Sequence, residues 1–150
     1  MTALFEKILV GVDGSVYSHA ALENAIELAK VFKSKLLIVN VYAAPPVFKG
    51  DIKEYPPPLY ISPETLEGVK TALKKDQEFA MSAGVASAEV KFILTADNPG
   101  AAIIKEAEAS GISLIIVGSR GLTGIKRVLL GSVASYVAEY AHCDVHIVRR

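Results

Sequence analysis

The chain has one cysteine, no tryptophan and no net charge among its 150 residues. A lone thiol, Cys143, excludes an internal disulfide framework and a cysteine-based zinc site, and it fits a reducing compartment. Sixteen basic and sixteen acidic side chains cancel, which removes the summed field that would draw the protein to nucleic acid or to an anionic membrane. No apolar run approaches the ~20 residues of a membrane-spanning helix, and Met1 to Lys7 holds no signal-peptide apolar region. The expectation is a cytoplasmic protein with neither nucleic acid nor membrane as partner. Metal-ligand spacing is missing too: His19 sits in a helical pattern among alanines, and His142 and His146 flank the last apolar run without an acidic cluster. The six tyrosines are scattered and make no stacking platform for single strands.

What is present is one domain's worth of alternating pattern, expected to span residues 1–150. Strand-length apolar runs read as Lys7 to Val12, Lys35 to Val41, Ala88 to Leu94, Ser113 to Val117 and Asp144 to Val148. Their near-continuous Val, Ile and Leu content marks strands buried on both faces. Helical periodicity fills the gaps at Ser18 to Phe32, Pro63 to Met81, Pro99 to Ser110 and from Gly131 or Ser132 to about His142. Asn98-Pro99 is a cap and first-turn pair. Strand and helix in this alternation predict a doubly wound α/β domain, an open parallel five-stranded sheet of Rossmann-like type with helices on both faces. Its ligand crevice should lie at the carboxyl ends of the strands, which brings Asp13 and Gly118 to one rim. The stretch Ala43 to Ile61, with five prolines and no periodicity, is a long connection that reads either as a functional lid or as a mobile excursion.

Two segments carry chemistry. Gly118-Ser119-Arg120-Gly121, then nine residues, then Gly131-Ser132, joins a strand to a helix start through a glycine-rich loop, a recurrent way of holding phosphates. Glycines let backbone N–H groups approach an anion, and Ser132, Arg120, Lys126 and Arg127 add a hydroxyl and cations. The bland alternative is a βα connection that needs glycine only to turn. The second segment is Val12-Asp13-Gly14-Ser15, where a carboxylate at a strand end can accept from a ribose diol. Asp13 could instead cap a helix.

The strand ending in Val12-Asp13-Gly14-Ser15, the frame G-x2-G-x9-G-[ST] and a closing strand at the C-terminus together resemble the universal stress protein family. Over Val117-Gly118-Ser119-Arg120-Gly121 and Leu130-Gly131-Ser132-Val133 the similarity is to its ATP-binding subclass. That resemblance implies strand order 3-2-1-4-5, ATP in the strand-end crevice, a Mg or Mn ion held through the phosphates, and a homodimer. It places Gly11, Val12 and Asp13 on the adenosine side, with Asp13 toward the ribose, and has Val41 contact adenine through its backbone. Gly118, Arg120 and Gly121 would bound ribose and phosphates, with Gly131, Ser132 and Val133 at the phosphate end. Gly11 stands where members of that family often carry proline or alanine.

The function expected is an ATP-binding stress-response regulator or sensor that switches on nucleotide occupancy and acts on an unidentified downstream protein. It is not expected to be an enzyme, because no Walker A sequence and no water-orienting carboxylate accompany the cradle. The alternatives are a slow ATPase or an adenine-nucleotide α-hydrolase relative, whose S-G-G-x-D-S signature is absent, and a phosphoacceptor receiver domain, whose upstream acidic pair is absent. Asp144 to Val148 should form a sheet edge through which two copies pair, unless His146, Arg149 and Arg150 shield it.

Overall fold

The structure, a computed structural model, describes residues 4–44, 59–121 and 130–149. Strands and helices alternate as β1 Lys7–Gly11, α1 Val16–Phe32, β2 Lys35–Ala43, α2 Pro63–Ser82, β3 Ser87–Thr95, α3 Pro99–Ala109, β4 Leu114–Gly118, α4 Ser132–Tyr140 and β5 Asp144–Val148. The sheet is parallel throughout, in the order β3-β2-β1-β4-β5. The expected α/β class and the order implied by the family resemblance are both found. After β3 the chain returns to the opposite side of β1, so the winding reverses between β1 and β4.

Side chains alternate between the two faces of each strand, and both faces are covered. Ile8, Val10, Leu36, Ile38 and Ile116 pack with Leu22, Ile26 and Leu73 in the layer under α1 and α2. Leu9, Val39, Ile115 and Val117 pack with Ile103, Ile104 and Val137 in the layer under α3 and α4. This double burial is the reason that β1 and β4 read as unbroken aliphatic runs.

Element ends differ from the sequence reading by one or two residues. β1 stops at Gly11; Val12 keeps one ladder bond, from its N–H to the Val39 carbonyl at 2.8 Å, before the chain turns away at Asp13. β2 outruns it to Ala43 because β3 continues alongside, with Ala43 opposite Thr95. α1 begins at Val16 because Ser15 caps it, the Ser15 hydroxyl accepting from the Ser18 N–H at 3.1 Å. Asp13 is therefore not the helix cap. Most of the proline-rich connection, residues 45–58, lies outside the described residues. Among the described residues no helix is long and apolar enough to cross a membrane.

Candidate functional site

The reversal point between β1 and β4 opens into a cavity of about 130 Å³ at the carboxyl ends of the strands. Its β1 wall is Gly11, Val12 and Asp13, and its β4 wall is Val117, Gly118, Arg120 and Gly121. Gly131, Ser132 and Val133 close the α4 end, and Val41 stands at the β2 side. Both motif segments thus meet at one crevice. Ser119 is the predicted site residue that does not line it. It is buried, its N–H donates to the Val148 carbonyl at 2.9 Å and its carbonyl accepts from the Gly131 N–H at 2.6 Å, so it ties the loop ends to the sheet. Ser18, Val39, Pro99, Ile103 and Ala134 also line the cavity and were not foreseen. Asn98-Pro99 was the usable signal, since a helix that starts after β3 must open at the same rim.

The Asp13 turn is fixed by its own hydrogen bonds. Gly14 supplies a φ of +84°, which lets the chain fold back so that the Ser15 N–H donates to Asp13 Oδ1 at 2.9 Å. The Asp13 N–H in turn donates to Ser18 Oγ at 3.1 Å. The carboxylate is thereby oriented, with Oδ2 directed at the β4 loop: a Cβ placed on Gly121 would stand 3.1 Å from it.

The frame glycines serve close approach rather than left-handed backbone. Among the described residues the glycines of positive φ are Gly14, Gly84 and Gly111, none of them in the frame. Gly118 packs on the first turn of α1, where a Cβ would lie 2.8 Å from the Tyr17 carbonyl carbon and oxygen. Gly131 packs on the loop, where a Cβ would lie 3.2 Å from Arg120 Cα. At Gly11 a methyl would meet Ile103 Cδ1 at 3.4 Å and Val117 Cγ1 at 3.5 Å, ordinary contact distances, so that wall has room for alanine.

Two backbone features give the crevice its polarity. α1, α2 and α3 are capped by the side chains of Ser15, Ser62 and Asn98, whereas α4 starts at Gly131 with no side-chain cap bond. Its first-turn N–H groups, with the positive end of the helix dipole, therefore open toward the cavity. The second feature lies on β2. Val39 bonds toward β1, and alternation along a parallel ladder turns the N–H and C=O of Val41 to the same side, where β1 has already ended.

Lys126 and Arg127 lie outside the described residues. Cys143 lies away from the cavity, and burial, with Asp144 adding to it, pushes its thiol up, so it has little thiolate character. Among the described residues no group of three or more His, Cys, Asp and Glu side chains could hold a metal.

Comparison with known proteins decides the lineage. The model of the universal stress protein family matches residues 4–149. The chain belongs to the universal stress protein family. It is 34% identical to the universal stress protein YxiE of Bacillus subtilis, over 97% of this chain and 100% of that one. Among solved structures it resembles universal stress protein UspA from Lactobacillus plantarum, with a TM-score of 0.79 and 25% identity over 99% and 100% of the two chains. A universal stress protein solved in complex with cAMP has a TM-score of 0.73 and 26% identity, over 97% and 98%. Binding of an adenine nucleotide is therefore on record for a family member similar to this chain.

Proposed function

We propose that this universal stress protein binds ATP in the β1–β4 crevice and acts as a stress-response regulator, nucleotide occupancy altering a surface read by another protein. The observation that carries the reading is the uncapped start of α4 opposite Asp13 across one cavity. An anion at the α4 N-terminus satisfies N–H groups that no side chain satisfies, while Asp13 Oδ2 accepts from a ribose hydroxyl. Between them Val39, Val41, Pro99 and Ile103 offer an apolar slot, and the Val41 N–H and C=O match the acceptor and donor on the edge of adenine. Guanine, with that donor and acceptor exchanged, would meet like against like.

The cavity is smaller than the ~300 Å³ lower end of small-molecule pockets. The adenine base takes up most of this space, with the ribose toward Asp13 and the phosphates toward Gly131 and Ser132 at the start of α4. A Mg or Mn ion would take its ligands mainly from phosphate oxygens, neutralising their charge. Asp13 is the one carboxylate lining the cavity among the described residues, and it is already held by Ser15, which supports holding ATP over turning it over. The protein is further proposed to be a homodimer through β5, a margin of the sheet.

Isothermal titration with ATP, AMP, cAMP and GTP, beside a mass spectrum of nucleotide released from the purified protein, tests the reading. ATP bound in preference to GTP, without sustained ADP release, is the expected result. No affinity for any adenine nucleotide would end it, and steady turnover would replace the switch with an ATPase.

A further inference from the structure

β3 forms the margin of the sheet opposite β5. The Thr95 carbonyl accepts from the Ala44 N–H at 2.9 Å on the β2 side, so the parallel alternation turns the N–H and C=O groups of Ala88, Val90, Phe92 and Leu94 outward. Gln77 of α2 covers the first of these, its Nε2 donating to the Ala88 carbonyl at 2.8 Å. Beyond it the margin borders an open groove of about 520 Å³, between Lys91 to Thr95 on one side and Ala102, Lys105 and Ala109 of α3 on the other. Among the described residues the groups beyond Ala88 have no other partner, and such a row on a strand this long is a template for another strand.

Charge order along the strand selects the occupant. Glu89 and Lys91 flank Val90 on the exposed face. Lys91 pairs with the buried Glu106 of α3, whereas Glu89 has no ion pair among the described residues. We propose that β3 pairs antiparallel with β3 of a second copy, about a two-fold axis at Val90. In that register Val90 faces Val90, and each Glu89 faces Lys91 of the other copy. Val90 bonds outward, so it forms a hydrogen-bonded pair and the charged residues fall in non-hydrogen-bonded pairs, where side chains come closest.

The neighbouring registers that keep this bonding pattern set Lys91 against Lys91 or Glu89 against Glu89, and like charges directly opposite are unfavourable. One alignment is therefore favoured and its two neighbours are opposed. Gln77 need not leave, because a carbonyl oxygen has two lone pairs. The pairing is independent of the nucleotide. If β5 pairs as well, two unlike two-fold contacts on one chain build open strings rather than a closed dimer.

Sedimentation velocity over a range of concentrations tests the pairing with wild type, Glu89→Lys, Lys91→Glu and an equimolar mixture of the two variants. Each variant alone opposes like charges, whereas a mixed pair restores both contacts. Self-association at least about tenfold weaker in each variant is expected, with the mixture recovering to within about threefold of wild type. Any species that β5 contributes is common to all samples and cancels. Lys91→Glu strips Glu106 of its partner; if it does not fold, hydrogen exchange on wild type and Glu89→Lys carries the test, with protection at Val90 and Phe92 rising with concentration in wild type alone. Identical masses for wild type and Glu89→Lys at every concentration, with exchange at those amides independent of concentration, would overturn the proposal. So would a mixture of two folded variants that does not recover.

Discussion

Gly118, the last residue of β4, lies so close to Tyr17 in the first turn of α1 that a β-carbon would stand 2.8 Å from the Tyr17 backbone. Real β-carbons do not come this near a carbonyl, so α1 can rest on the end of β4 only if residue 118 is glycine. The contact sets the width of the crevice, because α1 brings Ser18 and the Asp13 turn with it. Gly118 and Gly131 are thus explained by backbone packing before any ligand is considered. Gly121, facing Asp13 Oδ2, is where space is kept beside a functional group.

This division predicts that the frame glycines respond differently to alanine. Gly118→Ala should lose about 2–3 kcal/mol of stability, at the upper end for overpacking because the obstacle is backbone. Gly121→Ala should stay within about 0.5 kcal/mol of wild type, since the carboxylate can shift by a few tenths of an ångström. Its cost should appear as weaker nucleotide binding. Urea unfolding without ligand, followed by titration, separates the two; equal losses of stability would refute the division.

Val41 predicts an effect on binding without one on folding. Its N–H points to the β1 side beyond the end of β1, and the ladder to β3 is carried by the even residues of β2, as the Ala44 bond shows. Proline is tolerated where the missing N–H faces no partner strand. Val41→Pro should therefore fold with a urea midpoint near that of wild type yet bind ATP roughly tenfold more weakly, the loss of one charge-free hydrogen bond in a dry slot. A variant that folds and binds ATP as wild type does would remove Val41 from the proposed adenine contact.

The sequence made the fold legible because its signals are local. Aliphatic runs mark β1 and β4, Asn98-Pro99 marks the start of α3, and Gly131-Ser132 marks that of α4. The meeting of Asp13 with Gly118 at one rim followed from the general place of crevices in such sheets. What stayed hidden depends on contacts between distant segments. Nothing near Gly118 announces Tyr17, and Ser119 looks like a phosphate ligand until its backbone is found bonded to Val148 and Gly131. Ile103 and Val39 are core residues, with one side of the core left open as the cavity wall.

Two carboxylates should give the stability–pH curve opposing slopes. Burial alone would raise Glu106, but hydrogen bonds from Lys91 and Ser110 and the charge of Lys91 outweigh it and hold the carboxyl below its usual range. Its stabilisation is full above the unfolded carboxylate range near pH ~4.3 and is lost as pH falls through the lower folded value. Asp76 is the reverse: burial raises it, and the positive field of His19 only partly offsets this. Its ionised form costs stability at neutral pH, and the cost fades as pH falls below the raised value. Lys91→Met should lose about 1–3 kcal/mol at pH 7 by leaving Glu106 buried without its cation, with the deficit shrinking in acid. Asp76→Asn should gain up to about 1 kcal/mol at pH 7 and nothing at pH 3.5. Urea midpoints at both pH values check the signs, and a gain for Asp76→Asn that grows in acid would contradict the assignment.

The β5 margin can be tested without damage to the sheet behind it. The Val148 carbonyl accepts from the Ser119 N–H on the β4 side, so the even residues of β5 carry the ladder to β4, and Val145 and Ile147 turn their backbone groups outward. Ile147→Pro deletes one outward N–H and leaves the β4 pairing intact, whereas His146→Pro removes a ladder donor. If two copies pair through β5, light scattering should find Ile147→Pro lower in mass than wild type at equal concentration, with nearly the wild-type urea midpoint, and His146→Pro destabilised by about 3 kcal/mol or more. An Ile147→Pro protein that keeps the wild-type mass would show that the copies do not meet at β5. The comparison with His146→Pro guards against mistaking a damaged strand for a lost interface, because the two substitutions sit on adjacent residues and differ only in the direction their N–H groups face.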